Sequence, residues 1–270
     1  MGAKVRVERP NSSISARITR VKIVIAGGTG VVGKHVHSTA TDRGHDVVAL
    51  SRSSGQDVST GAGLAEAIAG ADVVIDVTSV LTTSSSKSRR FFTTATRHLI
   101  AAEQAAGVGH HLALSIVGID GLETGYYAGK LAQEREVSAG SAPWSILRAT
   151  QFHEFAAQMS QRMTIGPIAL IPRMPTRPVA AREVAARLVD IAEAGPGGRL
   201  ADLVGPADDE LIGMVRRMYT HDGLSRRPIG VRLPGKYWRA IASGVLRGNP
   251  AESAVGRTTF DQWLDSSDRC

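Results

Sequence analysis

A short apolar strand, a glycine-rich turn and the start of a helix follow one another near the beginning of the chain. The run KIVIA (22–26) is apolar and β-branched, and GGTGVVG comes directly after it. The pattern Gly-x-Gly-x-x-Gly is formed by Gly28, Gly30 and Gly33, and Gly27 gives a second pattern, Gly-x-x-Gly-x-x-Gly. In either pattern the backbone can turn sharply and approach a pyrophosphate without an intervening Cβ. The free N–H groups of the helix would face the phosphates. This context predicts dinucleotide binding, and the alternative is a tight turn without a ligand.

Strands and helices alternate through the first 150 residues. Short β-branched runs recur as DVVAL (46–50), DVVIDV (72–77), HLALSI (111–116) and WSILRA (144–149). Between them lie segments with helical patterning, at about 34–44, 63–70, 89–107 and 125–139. This alternation predicts an α/β fold, a Rossmann-type doubly wound parallel sheet.

The regular alternation of strands and helices ends after residue 150. FHEFAAQMSQRM reads as a helix, GPIALIPRMPTRP as a loop with a short strand, and AREVAARLVDIAEAG as an amphipathic helix. RLADLV (199–204) reads as a strand that rejoins the sheet, and helices joined by loops follow. We expect a disordered basic extension over 1–20, an NAD(P)-binding Rossmann domain over 21–150, and a C-terminally weighted substrate lobe over 151–270 with segments returning to the sheet.

Composition narrows the class of protein. Of 270 residues, 43% are hydrophobic and 4% aromatic, which favours a close-packed α/β protein. No apolar run is long enough to span a bilayer and no secretory signal is visible, so we expect a cytoplasmic protein. Cys270 is the single cysteine, and no His, Cys and acid set has the spacing of a metal site. The late basic residues lack aromatic interleaving, which favours a solvated face over nucleic-acid binding; attraction of an acidic ligand is the alternative.

The end of the second strand bears on the choice of dinucleotide. An acid there would hold the ribose 2′-hydroxyl of NAD, but the strand ends in Leu50, Ser51, Arg52 and Ser53. The Arg52 guanidinium suits a 2′-phosphate, and the two serine hydroxyls can assist. The next acid along the chain is Asp57, which we expect to lie beside the adenine ring. NADP is therefore the predicted cofactor, with NAD possible.

The segment GYYAGKLAQE (125–134) holds a second candidate motif. On a helix, Tyr126 and Lys130 share a face, whereas Tyr127 points about 100° away, toward the face of Leu131. The spacing alone does not distinguish a catalytic pair from a helix that begins with two aromatics.

Four motifs in register resemble the short-chain dehydrogenase/reductase superfamily: AGGTGVVG, DVTS (76–79), ALSIVG with Ser115, and YYAGK. More narrowly, FFTTATRHLIAAEQAAGVGHHLALSIVG and APWSILRATQFHEF are similar to its atypical, NmrA-like NAD(P)H-binding branch. The resemblance covers most of residues 21–160 and, more loosely, the tail to about Leu264.

This resemblance implies roles for three residues. Tyr126 would donate a proton to a substrate carbonyl as hydride arrives, and Ser115 would orient that carbonyl. Lys130 would bind the nicotinamide ribose and lower the pKa of the tyrosine. The residues after the strand WSILRA should lie beside the nicotinamide, because ligands sit outside the carboxyl ends of parallel strands. The predicted cofactor-binding residues are Gly27, Gly28, Thr29, Gly30, Val31, Val32, Gly33, Ser51, Arg52, Ser53, Asp57, Val58, Val77, Thr78, Ser79, Lys130, Ala149, Thr150, Gln151 and Phe152.

The leading hypothesis is an NADP(H)-dependent oxidoreductase that reduces a small organic carbonyl or related unsaturated substrate, as a monomer or homodimer, with no nucleic-acid or membrane partner. The alternative is a non-catalytic NADP(H)-sensing regulatory protein of the NmrA type. A third possibility is an epimerase or dehydratase acting on a nucleotide-linked sugar.

Overall fold

Strands and helices alternate in the first half of the protein, as the sequence predicts. The computed structural model describes residues 20–269, so the extension predicted over 1–20 lies outside the described residues apart from Arg20, as does Cys270. In chain order the elements of this half are β1 (Lys22–Ala26), α1 (Val31–Asp42), β2 (Asp46–Leu50), α2 (Leu64–Ile68), β3 (Val73–Asp76), α3 (Ser85–Ala106), β4 (His110–Ile116), α4 (Gly125–Ala139) and β5 (Trp144–Ala149).

The helix α3 begins before its predicted start at about residue 89. Ser84 is its N-cap, and the Ser84 side chain accepts a hydrogen bond from the backbone N–H of Lys87. A serine in this position satisfies a helix N–H that would otherwise lack a partner. The cap therefore extends the helix by one turn beyond the apolar stripe from which it was predicted.

The second half mixes short strands with helices. The predicted strand over 199–204 returns to the sheet as two short strands, which both pair with β5. In chain order the elements are α5 (Phe155–Arg162), β6 (Thr164–Ile165), β7 (Ile168–Pro172), β8 (Pro175–Thr176), α6 (Ala181–Ala194), β9 (Gly198–Arg199), β10 (Leu203–Val204), β11 (Asp209–Glu210), α7 (Leu211–His221), β12 (Arg227–Val231), α8 (Lys236–Ala242), β13 (Ala254–Val255) and α9 (Phe260–Leu264).

The main sheet is parallel and is covered by helices on both faces. Its strand order is β13-β10-β5-β4-β3-β1-β2, and β9 pairs with β5. On one face, Ile23 and Leu112 pack in a core shared with α1 and α6. On the other, Val24 and Val74 pack in a core with Leu99 of α3. The predicted Rossmann-type fold is confirmed.

A separate hydrophobic core fills the C-terminal part. It unites buried side chains of α5, β7, α7, α8 and α9, and it includes Tyr127 and Leu131 of α4. Helix α4 thus packs against the main sheet and also contributes to this second core. Over residues 20–269, no helix is long and apolar enough to cross a bilayer.

Candidate functional site

The turn between β1 and α1 has room only for glycine at several positions. Gly27 has a φ of +88°, and a Cβ there would lie 2.8 Å from the carbonyl oxygen of Val77. A Cβ on Gly33 would lie 2.2 Å from the carbonyl oxygen of Gly27, so α1 begins in contact with the turn. Gly30 is the N-cap of α1, and no side chain caps the helix. The first N–H groups of α1 therefore point into an open cradle, which fits a pyrophosphate.

The segment after β2 forms a serine-rich turn around an exposed arginine. The Ser51 hydroxyl accepts a hydrogen bond from the Ser54 N–H at 3.2 Å and lies 2.9 Å from the Ser53 hydroxyl. Arg52 is exposed, and within the described residues its side chain has no ion pair. This leaves the guanidinium free for an anionic group, while Ser51 organises the turn beneath it.

The predicted adenine contacts lie just beyond this turn. The Asp57 carboxylate accepts hydrogen bonds from the Ser59 hydroxyl at 2.6 Å and the Ser59 N–H at 2.8 Å. These bonds hold the pKa of Asp57 below its ordinary value. The Val58 carbonyl lies 2.9 Å from His98 Nδ1. Asp57 is therefore held by its own loop, and Val58 by His98 of α3.

Asp76 organises the segment that follows β3. One carboxylate oxygen of this fully buried residue accepts the hydroxyl of Thr78 at 2.6 Å and its N–H at 2.9 Å. The other accepts a bond from Gln133 Nε2 of α4 at 2.7 Å. Three donors satisfy the buried charge and fix the turn that carries the exposed residue Ser79.

The Tyr126 hydroxyl lies 3.0 Å from the hydroxyl of Ser79, so α4 and the segment after β3 meet at this point. The Tyr126 ring packs edge-on against Phe92, with the centroids 5.5 Å apart. Burial raises the pKa of Tyr126 to about 12, although the bond to Ser79 acts in the opposite direction. The lowered pKa that the resemblance implied for Tyr126 is not what this arrangement gives.

Lys130 shares a face of α4 with Tyr126 but reaches inward. Its Nζ donates a hydrogen bond to the Leu114 carbonyl at 2.6 Å and a second one to Gln133 Oε1. The ammonium also lies over the Phe92 ring, 4.7 Å from its centroid. Burial lowers the pKa of Lys130 to about 8, because removal from water disfavours the charged form. The structure therefore joins Lys130 to Gln133 and Asp76.

Ser115 lies near the carboxyl end of β4, at the level of Arg148 on β5. Its side chain is buried, and within the described residues its Oγ has no hydrogen-bond partner. The neighbouring Arg148 is buried and forms paired hydrogen bonds with Glu134 and with Asp120. Ser115 thus has a buried hydroxyl without a partner beside a fully paired arginine, which is uncommon for a buried polar group.

The residues after β5 are tied to the C-terminal segments. Thr150 Oγ1 accepts a hydrogen bond from the Gly205 N–H at 3.2 Å, and Gln151 Oε1 accepts one from Thr176 Oγ1 at 2.9 Å. Ala149 is buried, and Phe152 forms a β-bridge with Val179. These contacts position the loop predicted to lie beside the nicotinamide.

Sequence reasoning missed a set of paired polar residues, which are buried or half-buried except for the exposed Asp120. Gln133 is three positions from Lys130 on one helix, and Arg148 is a charge inside an otherwise apolar β-run; both are visible signals. Their partners come from distant segments, so the pairing itself was hidden. Within residues 20–269, no group of three or more His, Cys, Asp or Glu side chains is placed to hold a metal ion. The residues missed are Asp76, Asp120, Gln133, Glu134 and Arg148.

Comparison with solved structures shows the same fold. MoeE5 in complex with UDP-glucuronic acid and NAD superposes with a TM-score of 0.70 at 16% identity, over 92% of this chain and 97% of that one. An NADPH-dependent quinone oxidoreductase from Escherichia coli gives 0.63 at 15% identity, over 90% and 98%. A short-chain dehydrogenase/reductase superfamily protein from Agrobacterium tumefaciens with bound NAD gives 0.63 at 18%, over 92% and 96%.

Sequence comparison identifies the family. No curated protein matches the chain in sequence. The sequence profile of the NAD(P)H-binding family matches residues 27–194, a range that begins in the glycine turn and ends at the last residue of α6. That range is more than half of the chain, and it contains the glycine cradle, Arg52 and the α4 residues described above. The chain belongs to the NAD(P)H-binding family, and its predicted cofactor class is confirmed.

Proposed function

We propose that this protein is an NADP(H)-dependent oxidoreductase of the short-chain dehydrogenase/reductase type, in its NmrA-like branch, which reduces a small organic carbonyl or related unsaturated group. The observation that carries the proposal is the 3.0 Å contact between the Tyr126 and Ser79 hydroxyls. It presents a phenol at the end of β3, the strand next to the one that leads into the glycine cradle. With a pKa of about 12, Tyr126 is protonated at neutral pH and can donate.

The residues present fit the cofactor. The N–H groups at the start of α1 would hold the pyrophosphate, and Arg52 would hold a 2′-phosphate. Asp57 and Val58 would border the adenine, while the segments 77–79 and 149–152 would border the nicotinamide. When bound, the nicotinamide supplies or accepts the hydride.

The chain's own part in a reduction is to hold the substrate and deliver a proton. The Tyr126 hydroxyl donates its proton to the substrate oxygen, which becomes an alcohol. The Ser79 hydroxyl can then donate a hydrogen bond to the phenolate until a proton returns from solvent. Ser115, with its unused hydroxyl, is the proposed second contact for the substrate oxygen. The resemblance implies that Lys130 binds the nicotinamide ribose. To do so, the Lys130 ammonium would have to give up its hydrogen bond to Gln133.

A second candidate function is NADP(H) sensing without turnover. The pKa values favour it, since Tyr126 is a weaker acid than free tyrosine and the Lys130 ammonium is bound inward by Leu114 and Gln133. Such a protein would bind the nucleotide tightly and change shape between its oxidised and reduced forms.

One assay separates the two candidates. NADPH consumption is followed by nicotinamide absorbance with a panel of quinones, ketones, aldehydes and enones, using wild type, Tyr126→Phe and the control Tyr127→Phe. The proposal predicts that Tyr126→Phe lowers kcat on the order of 10²- to 10⁴-fold, as loss of a general acid does, while Tyr127→Phe keeps it. Tight NADPH binding without turnover on any substrate would overturn the oxidoreductase and support the sensor.

A further inference from the structure

A cleft opens in the C-terminal part of the molecule, and no residue of the glycine turn lines it. Its volume is about 810 Å³. Six elements contribute to its walls, namely β7, β8, β11, α7, β12 and α8. Four arginines line it together with one carboxylate and one indole ring, and we call it the arginine cleft. These residues are Arg173, Arg216, Arg232, Arg239, Glu210 and Trp238.

The charges of the arginine cleft are unbalanced. Within the described residues, none of its four arginine side chains forms an ion pair or a hydrogen bond, and Glu210 is the only acid in its lining. Arginines nearby behave differently: Arg217 pairs with Asp209 and Asp261, and Arg177 and Arg247 both pair with Asp208. The carboxylates of this region thus neutralise neighbouring arginines and leave the cleft positive. Positive charges that line one concave surface attract and concentrate anions.

We propose that the arginine cleft binds a phosphate-bearing small molecule. Its volume falls in the range of small-molecule sites, about 300 to 1,000 Å³. A guanidinium binds phosphate oxygens through two parallel hydrogen bonds, and four guanidiniums offer more donors than one carboxylate can accept. Trp238 adds an apolar wall that can pack against the rest of such a ligand.

The arginine cleft is a site of its own. It shares no lining residue with the glycine cradle, with Arg52 or with the contact between Tyr126 and Ser79. One helix connects the two regions, because Tyr237 of α8 stacks on Tyr127 of α4 with the ring centroids 5.5 Å apart. The proposal therefore does not rest on the proposed function, although α8 borders both places.

Calorimetric titration of the full chain with inorganic pyrophosphate tests the proposal. The cleft variant is Arg216→Glu with Arg232→Glu, and the control is Arg226→Glu with Arg227→Glu. All four positions are exposed, and the two variants change the net charge equally within the same lobe. One equivalent of NADPH is present to occupy the glycine cradle without leaving an excess to compete for the arginine cleft. Each titration is repeated with citrate in place of pyrophosphate.

The proposal predicts that wild type and control bind pyrophosphate alike, whereas the cleft variant binds on the order of tenfold to a hundredfold more weakly. Citrate should bind more weakly than pyrophosphate. An equal loss in both variants would show attraction by net charge alone and would overturn the site. Binding of citrate as tight as pyrophosphate would overturn the assignment to phosphate. The difference in pyrophosphate binding between the variants does not depend on NADPH turnover. The turnover assay would therefore show a failure of the proposed function independently of this titration.

Discussion

Tyr126 and Tyr127 are neighbours in sequence and both contact the C-terminal core, but their hydroxyls have different surroundings. Tyr126 is half-buried and its hydroxyl meets Ser79, whereas Tyr127 is buried in the C-terminal core against Tyr237. The cause is the rotation of about 100° per residue on a helix, which sends consecutive side chains to different faces. The Tyr127 ring, which Tyr127→Phe retains, thus anchors the helix that carries Tyr126.

Lys130 makes stability depend on pH. Burial lowers its pKa from 10.5 to about 8, so between these values the unfolded chain binds more protons at this position than the folded chain. The free energy of unfolding should therefore rise with pH in that window, by at most about 1.4 kcal/mol per pH unit.

Urea unfolding at about pH 8 and about pH 9.5 measures this effect, and the comparison with a variant that has the same tyrosines removes their contribution. Wild type should gain stability between the two pH values relative to Lys130→Met, which has no group to titrate. Parallel pH dependence in both proteins would contradict the burial of a titrating lysine.

Gln133 links two buried charged groups, since it accepts a bond from Lys130 and donates one to Asp76. Gln133→Leu keeps a similar size but leaves both groups without that partner. We expect the free energy of unfolding to fall by about 1 to 3 kcal/mol for each buried group left unsatisfied.

The matched control for this variant is Gln104→Leu, at an exposed glutamine of α3 that bonds Ser141. It should change stability by less than about 0.5 kcal/mol, as surface substitutions do. Equal effects of the two substitutions, measured by urea unfolding, would show that the buried chain of hydrogen bonds contributes little.

Spacing along α4 predicts that Tyr126 and Lys130 share a face, and the helix bears this out. It does not predict the partners of the Lys130 ammonium, because they come from other elements. Leu114 belongs to β4, and Asp76, which Gln133 connects to Lys130, belongs to β3. Such partners are set by how strands and helices stack, which local spacing does not encode. The Ser79 contact of Tyr126 is hidden for the same reason.

At the scale of elements, α3 and α4 approach closely at Gly129. A Cβ on Gly129 would lie 2.1 Å from the Ser88 hydroxyl and 2.7 Å from the Ser88 carbonyl carbon. The Ser88 hydroxyl in turn donates to the carbonyl of Tyr126 at 2.9 Å. The glycine therefore sets both the distance between the helices and the position of Tyr126.

Gly129→Ala should lower the free energy of unfolding by about 1 to 3 kcal/mol through overpacking, and should lower turnover by displacing Tyr126. Thermal unfolding and the NADPH assay measure the two effects. Gly109→Ala is the control, since the nearest atom to its Cβ would be 3.7 Å away. If Gly129→Ala is as stable and active as this control, the close approach of α3 and α4 does not position Tyr126.

The elements differ in how far the sequence predicts them. Each strand from β1 to β5 contains a run of two or more adjacent apolar residues, as expected for a parallel sheet whose two faces are buried. Strand β12 has the sequence RPIGV, whose proline and glycine are poor strand formers, and it was not predicted. It exists because its backbone pairs in parallel with β7, a segment far away in the chain.

At the scale of the whole molecule, each face of the sheet has its own hydrophobic core, and a further core fills the C-terminal part. Helix α4 carries Tyr126 and Lys130 and also contributes to the C-terminal core. The alternation of strands and helices makes the Rossmann-type half predictable. The C-terminal part joins short strands and helices across long sequence distances, so its architecture was predicted only in outline. The division into a cofactor domain and a substrate lobe remains our proposal.

The central claim is that the site works with NADP(H), held by the glycine cradle and selected by Arg52. Titration of the purified protein with NADPH and with NADH, followed by nicotinamide fluorescence, tests it most directly. Arg52→Ala is compared with Arg90→Ala, another exposed arginine, which lies on α3. We predict that wild type and Arg90→Ala bind NADPH on the order of tenfold or more tightly than NADH, and that Arg52→Ala loses this preference. Equal binding of both nucleotides by wild type, or a preference that survives in Arg52→Ala, would contradict the claim.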